Sequence, residues 1–108
     1  MTWETIIGNE FRAVLEHFDV LVSPTSPTVA FPLGAKTDNP LAMYLSDVLA
    51  IPPNMAGLPG LSIPCGLSEG LPVGLQLIGP QFSENLLFRA GHALERALAF
   101  DVVPERLR

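Results

Sequence analysis

The sequence predicts an α/β segment with about three strands and three helices. Apolar residues recur at helical spacing in three stretches, and short runs rich in Val, Leu and Ile lie between them. The run at residues 20–22 is apolar at every position, which is typical of a strand buried on both faces beneath helices. Proline and glycine interrupt each apolar run well before the roughly 20 residues that a membrane span needs.

The first helix is predicted over residues 5–17, directly before the strand at residues 20–22. Its apolar stripe consists of Ile7, Phe11, Val14, Leu15 and Phe18. Residues 23–36 are rich in proline and have no period, so we expect an ordered loop there. The Ser and Thr hydroxyls of this loop either line a site or form turns.

The second helix is predicted to begin with Asn39 as its cap and Pro40 in its first turn. Its apolar stripe consists of Leu41, Tyr44, Leu45 and Val48. Asp47 lies one position off this stripe, so we expect it to border the buried face. Pro52 and Pro53 are predicted to stop the helix.

Two strands are predicted at residues 61–64 and 73–79, with a turn at Glu69 and Gly70 between them. Gln76 falls on a largely buried face of the second strand, so its side chain requires hydrogen-bond partners from the fold or from a ligand. A third helix is predicted to start at Ser83, which serves as its cap. Its apolar face consists of Leu87, Ala90, Leu94, Ala97 and Leu98.

The composition indicates a chain that is covered by other protein. Hydrophobic residues make up 48% of it and charged residues only 16%, whereas about a quarter is usual for charged residues. We therefore expect a piece of a larger protein, or a subunit. The net charge of −5 argues against a nucleic-acid-binding face. A single cysteine excludes an internal disulfide, and the first residues do not resemble a secretory signal, so a cytoplasmic location is expected.

The stretch at residues 44–66 combines an acid, an amide, glycines and prolines with apolar residues. It is either the wall of a small-molecule site or a buried connection between a helix and a strand. No complete set of catalytic residues is found in the sequence. Residues 60–64 approach the G-x-S-x-G pattern around Ser62 but end in proline, and no base is placed near it. Cys65 lacks a neighbouring cation that would activate its thiol, and the cysteine and two histidines do not form a zinc pattern.

Three blocks of sequence resemble the C-terminal part of the amidase signature family: DVLVSPTSPTVAF, MYLSDVLAIPPNMAGLPGLSIPCG and GLPVGLQLIGPQF. The resemblance covers roughly residues 7–98. It implies that residues 1–108 are a single segment of an α/β amidase signature domain, whose mixed central sheet is covered by helices. The family's Lys–cis-Ser–Ser triad lies in its N-terminal part, which is not found here, so the 108 residues alone are predicted to be inactive.

Within the family, the Tyr44-x-x-Asp47 pair is most similar to the glutamine-hydrolysing A subunits of tRNA-dependent amidotransferases. These subunits release ammonia from glutamine for the conversion of Glu-tRNA(Gln) to Gln-tRNA(Gln), or of Asp-tRNA(Asn) to Asn-tRNA(Asn). The resemblance implies two protein partners, the B and C subunits, with tRNA contacted through the complex. ATP and Mg would be used by the partner, and no cofactor or metal is expected in this segment.

By the same resemblance, Asp47 matches the acid that holds the α-amino group of glutamine, and Tyr44 and Asn54 wall the pocket. A carboxylate in apolar surroundings pairs with an ammonium more strongly than it does in water. Two alternatives remain open. One is a general amidase of the same family without a tRNA partner, and the other is a non-catalytic remnant that oligomerises or binds another protein.

Overall fold

A three-stranded antiparallel sheet organises the chain. The computed structural model describes residues 2–34 and 39–99, so the last two residues of the loop expected at residues 23–36 lie outside the described residues. The elements in chain order are α1 (Trp3–Leu15), β1 (Leu21–Pro24), α2 (Pro40–Ser46), α3 (Ile51–Ala56), β2 (Gly60–Ser68), β3 (Leu71–Ile78) and α4 (Glu84–Leu98). The predicted α/β class and number of strands are confirmed, and the described residues form four helices where three were expected.

The turn predicted between the second and third strands is confirmed. Glu69 and Gly70 both have positive φ, 55° and 78°, as a two-residue hairpin turn of the primed type requires. This turn makes β2 and β3 antiparallel neighbours, and β1 pairs with the other edge of β3 in the order β1-β3-β2. Every strand pair in the described residues is therefore antiparallel. The mixed sheet that the resemblance implies is not seen within residues 2–34 and 39–99.

The expectation that the first strand is buried on both faces is wrong. Val22 is 62% exposed, and Leu21 is only half-buried. The reason lies in where the helices pack: α1 packs mainly on α3, and α4 packs mainly on β2. Neither helix covers the outer part of β1.

The prediction that Pro52 and Pro53 stop the second helix is also wrong. Helix α2 ends at Ser46, and the two prolines lie in the first turn of a separate helix, α3. The first-turn residues of a helix have no intrahelical acceptor for their N–H groups, so proline loses no hydrogen bond there. The predicted start of α2 is confirmed, because the side chain of Asn39 accepts a hydrogen bond from the N–H of Ala42 at 3.1 Å.

Among the described residues the buried apolar side chains are Ile63, Leu77, Ile78 and Leu87. Helix α4 packs on the face of the sheet that carries Ile63 and Leu77, whereas Ile78 lies on the opposite face. Gly91 marks the closest approach of α4 to β2, because a Cβ there would lie 2.6 Å from Cδ2 of Leu61. The predicted cap of this helix is only partly correct. Ser83 occupies the cap position, but its hydroxyl donates to the carbonyl of Pro80 rather than accepting from the helix.

Candidate functional site

Asp47 terminates α2 and begins the turn that leads into α3. Its N–H donates to the carbonyl of Tyr44 at 3.0 Å. Its own carbonyl accepts from Ala50 at 3.0 Å and from Ile51 at 3.2 Å. The backbone of Asp47 is therefore held from both sides, with φ −103° and ψ 4°, a sparsely populated conformation that recurs at active sites. We call residues 47–50 the Asp47 turn.

The side chains of the three predicted site residues all reach solvent. Asp47 and Asn54 are exposed, and Tyr44 is 56% exposed. The expectation that Asp47 borders a buried face is wrong within the described residues, because the stripe beside it is itself exposed. Around Asp47 the chain forms an open surface, and the exposed residues Tyr44, Leu45 and Val48 lie near Asp47 in the sequence.

A polar row crosses the sheet on the face opposite α4. Gln76 in the central strand is paired in register with Ser23 of β1 and with Ser62 of β2. The core residues Ile63 and Leu77 alternate with this row and point to the other face, toward α4. The sheet therefore has one apolar face and one face on which hydroxyl and amide groups are concentrated.

Gln76 connects this polar row to the Asp47 turn. Its side chain is 7% exposed, and its Nε2 donates to Oγ of Ser23 and to the carbonyl oxygen of Leu49, both at 3.1 Å. The expectation that Gln76 needs partners is confirmed, and both partners belong to the fold. A second link comes from Ser26, whose hydroxyl donates to the carbonyl of Ser46 at 3.3 Å. The two hydrogen bonds therefore hold the carbonyl groups of Ser46 and Leu49, the residues that flank Asp47 and Val48.

Ser62 is engaged in a structural hydrogen bond. Its Oγ lies 2.6 Å from Oγ1 of Thr25, which joins the end of β1 to β2 across Gly74. His92 lies on α4, on the other side of the sheet, where its Nδ1 is 3.8 Å from a carboxylate oxygen of Glu95. Ser62 is also in mid-strand rather than at a strand-to-helix turn, so the elbow geometry that activates such a serine is not formed.

The proline-rich loop after β1 borders a cleft of about 720 Å³. The cleft is lined by residues that include Thr25, Ser26, Thr28, Phe31 and Ser62, and Asp47 is not among them.

Cys65 lies at the bulge in β2, half-buried, and its thiol donates weakly to the carbonyl of Val73 at 3.5 Å. The described residues contain no group of three potential metal ligands. Nor does any helix in residues 2–34 and 39–99 have the length and hydrophobicity to cross a membrane.

The sequence model of the family described as Amidase matches residues 2–88. The chain belongs to this amidase family. The A subunit of glutamyl-tRNA(Gln) amidotransferase from Caldanaerobacter subterraneus subsp. tengcongensis is 53% identical over 103 residues, which is 95% of this amidase chain and 21% of the relative. The corresponding protein from Moorella thermoacetica is 57% identical over 96 residues, covering 89% of this chain and 20% of the relative.

Among solved structures, the A subunit of glutamyl-tRNA(Gln) amidotransferase from Thermotoga maritima matches with a TM-score of 0.81 at 43% identity. The match covers 86% of this amidase chain and 20% of the Thermotoga protein. The chain thus spans about a fifth of the length of the relatives that it matches.

The sequence predicted that Gln76 needs hydrogen-bond partners, but it did not predict the contacts of Ser23, Thr25 and Ser62; the site role of Asp47 stays a prediction. The signal that could have found them is strand alternation. Ser23 and Thr25 are two residues apart at the end of β1, and Ser62 alternates with the apolar residues Leu61 and Ile63. Residues two apart share a face of a strand, so this spacing places the hydroxyls on one side of the sheet.

Proposed function

We propose that this chain is part of the glutamine-hydrolysing A subunit of a tRNA-dependent amidotransferase. The observation that carries the proposal is its 53% identity, over 95% of its length, to a relative named as the A subunit of glutamyl-tRNA(Gln) amidotransferase. In the complete domain, Asp47 binds the α-ammonium group of glutamine, and Tyr44 and Asn54 form part of the wall around it. The remainder of the domain supplies the nucleophile and its base.

The geometry around Asp47 supports this role. Its carboxylate is exposed at the end of α2, next to the exposed apolar side chains Tyr44, Leu45 and Val48. When the rest of the domain covers these residues, the carboxylate enters apolar surroundings with one open side. There, attraction to an ammonium group is several times stronger than in water, because the effective dielectric constant falls. Such a group selects glutamine over amides that lack an α-amino group.

The proposal has consequences for partners and location. Ammonia released from glutamine is used by the B subunit, which consumes ATP with Mg, and the C subunit completes the complex. The acidic character of this chain, with net charge −5, fits a role in which tRNA is contacted by other parts of the complex. The proposed location is the cytoplasm, where aminoacyl-tRNA is made.

The test replaces the matching segment of the Caldanaerobacter A subunit with this chain, to give a hybrid A subunit, which is then assembled with its partners. Two substrates are compared: glutamine and glutaramate, which is glutamine without its α-amino group. We expect Asp47→Asn to raise the KM for glutamine about 10- to 100-fold, since a hydrogen bond to a charged group contributes about 1.5–3 kcal/mol. The kcat for glutamine and the KM for glutaramate are expected to change less than about twofold.

Asp19→Asn is the matched control, because it removes one exposed carboxylate that is remote from α2 in the chain. Unchanged glutamine kinetics in the Asp47→Asn hybrid would contradict the proposed role. If the unsubstituted hybrid instead hydrolyses glutaramate as efficiently as glutamine, the chain belongs to a general amidase without selection for the α-amino group.

A further inference from the structure

Gln76 is the most deeply buried polar side chain among the described residues, at 7% exposure. Its amide nitrogen carries two hydrogens, and both have acceptors at 3.1 Å. One acceptor, Oγ of Ser23, is the neighbouring member of the same sheet row. The other, the carbonyl of Leu49, lies outside the sheet. The amide therefore joins the centre of the sheet to a turn 27 residues earlier in the chain.

The turn that Gln76 holds is closed by its own hydrogen bonds. The N–H groups of Ala50 and Ile51 both donate to the carbonyl of Asp47. Leu49 lies inside this closed loop of backbone. Its carbonyl shares a peptide group with the N–H of Ala50, so a constraint on the carbonyl is passed to Asp47 through that hydrogen bond. On the other side of Asp47, the hydroxyl of Ser26 contacts the carbonyl of Ser46 at 3.3 Å. This contact is longer and more exposed than the two hydrogen bonds that the Gln76 amide donates.

We propose that Gln76 is a positioning residue for Asp47: it anchors the Asp47 turn to the sheet so that the carboxylate is held where the α-ammonium group of the substrate binds. The inference rests on the function proposed above for Asp47. Gln76 itself does not contact substrate. Its effect is to restrict the backbone of a turn in which Asp47, Val48 and Ala50 are exposed, so that binding does not have to order it.

The principal variant is Gln76→Met, which keeps the length of the side chain and removes both donors. In the hybrid A subunit we expect the KM for glutamine to rise about five- to tenfold, with kcat and the KM for glutaramate within about twofold. Amide hydrogen exchange should accelerate about tenfold at Ala50 and Ile51, whose N–H groups close the turn.

The control variant is Ile63→Val, a small loss of packing in the same sheet on the face toward α4. It lowers the stability of the sheet without touching the turn, and we expect neither the glutamine KM nor the exchange at Ala50 and Ile51 to change beyond about twofold. A purely structural role for Gln76 would make the two variants behave alike.

A double-mutant cycle with Ser23→Ala gives a second, milder test. The hydroxyl of Ser23 accepts the other hydrogen of the Gln76 amide. Removing this hydroxyl therefore loosens the amide in the protein with Gln76, but has nothing to loosen in the Gln76→Met variant. We expect Ser23→Ala to raise the glutamine KM about two- to threefold alone and not at all in the Gln76→Met background. Additive effects on the glutamine KM would overturn the inference, even if Gln76→Met assembles poorly.

The outcomes separate this inference from the proposed function. If Asp47→Asn loses selection for the α-amino group while Gln76→Met keeps it, the function stands and the positioning role is wrong. If both lose it and exchange accelerates at the turn, the positioning role is supported. If Asp47→Asn has no effect on glutamine, both proposals fail together.

Discussion

Gly74 provides the space on which the polar face of the sheet depends. A Cβ at this position would lie 2.9 Å from Oγ of Ser62 and 2.9 Å from Oγ1 of Thr25, and 3.1 Å from Cβ of Thr25. The hydrogen bond between the two hydroxyls passes over this glycine and joins the end of β1 to β2. Any side chain at residue 74 would push these groups apart.

We therefore expect Gly74→Ala to lower the free energy of unfolding by about 1–3 kcal/mol, the usual cost of overpacking together with a lost hydrogen bond. The measurement is urea unfolding of the hybrid A subunit. Gly66→Ala is the matched control, since a Cβ there meets nothing within 4 Å, and we expect a change below about 0.5 kcal/mol. Equal effects of the two substitutions would show that the crowding at Gly74 is relieved by movement of Thr25.

For single residues, the sequence predicted which side chains depart from the apolar pattern around them, but not what those side chains contact. The need of Gln76 for partners follows from its place in an apolar strand. Its partners lie 53 and 27 positions away in the chain, at Ser23 and Leu49. Contacts at such separations depend on strand register and on the position of a turn, and neither is fixed by local pattern. The role of Asp47 came from family resemblance alone.

Among the elements, the division of the predicted second helix is the main difference between prediction and structure. Two adjacent prolines stop a helix that precedes them and equally suit the first turn of the next one. The sequence pattern favoured the first interpretation, whereas the structure has both a helix end at Ser46 and a helix start at Ile51. The four residues between them carry Asp47 at the end of one helix. The carbonyl of Leu49 can accept from Gln76 because residue 53, whose N–H would bond to it in a helix, is a proline and has no N–H.

Two buried helix glycines allow the packing of α1 and α4 to be compared. A Cβ at Gly8 would meet its nearest atoms at 3.7 Å, in Arg12, and 3.8 Å, in Ala56. These are ordinary contact distances, so Gly8→Ala should stabilise the protein by about 0.5–1 kcal/mol, because alanine has a higher helix propensity than glycine.

At Gly91, by contrast, a Cβ would lie 2.6 Å from Leu61, so Gly91→Ala should destabilise the protein by about 1–3 kcal/mol. Thermal unfolding of the two hybrids gives the sign of each change, and a stabilised Gly91→Ala would mean that α4 is less tightly packed than the structure indicates.

Across the whole molecule, the described residues bury few large apolar side chains and expose many. Four form the core, whereas sixteen are exposed, among them Trp3, Leu33 and Phe82 at 73%, 106% and 90%. The principal extents of 47 × 39 × 17 Å describe a thin slab, a shape with little interior. The low charged fraction predicted such uncovered surface from the sequence. Its distribution, which includes much of α2 and Val22 of β1, could not be predicted, because it depends on which helix packs on which strand.

This imbalance leads to an expectation about the chain by itself. A soluble monomer rarely exposes large contiguous apolar patches, and β1 adds an edge with backbone groups that can pair with another chain. We therefore expect the isolated 108-residue chain to self-associate as its concentration rises and to bind a hydrophobic dye, whereas the hybrid A subunit does neither. Sedimentation velocity over roughly a hundredfold range of concentration, with dye fluorescence in parallel, measures both.

A double variant tests whether α2 is the surface that associates. If the rest of the domain covers α2 in the hybrid, Leu41→Lys combined with Leu45→Lys should reduce association of the isolated chain and weaken assembly of the hybrid. A monomeric chain with one cooperative unfolding transition would contradict this expectation and would favour a non-catalytic module that is stable alone.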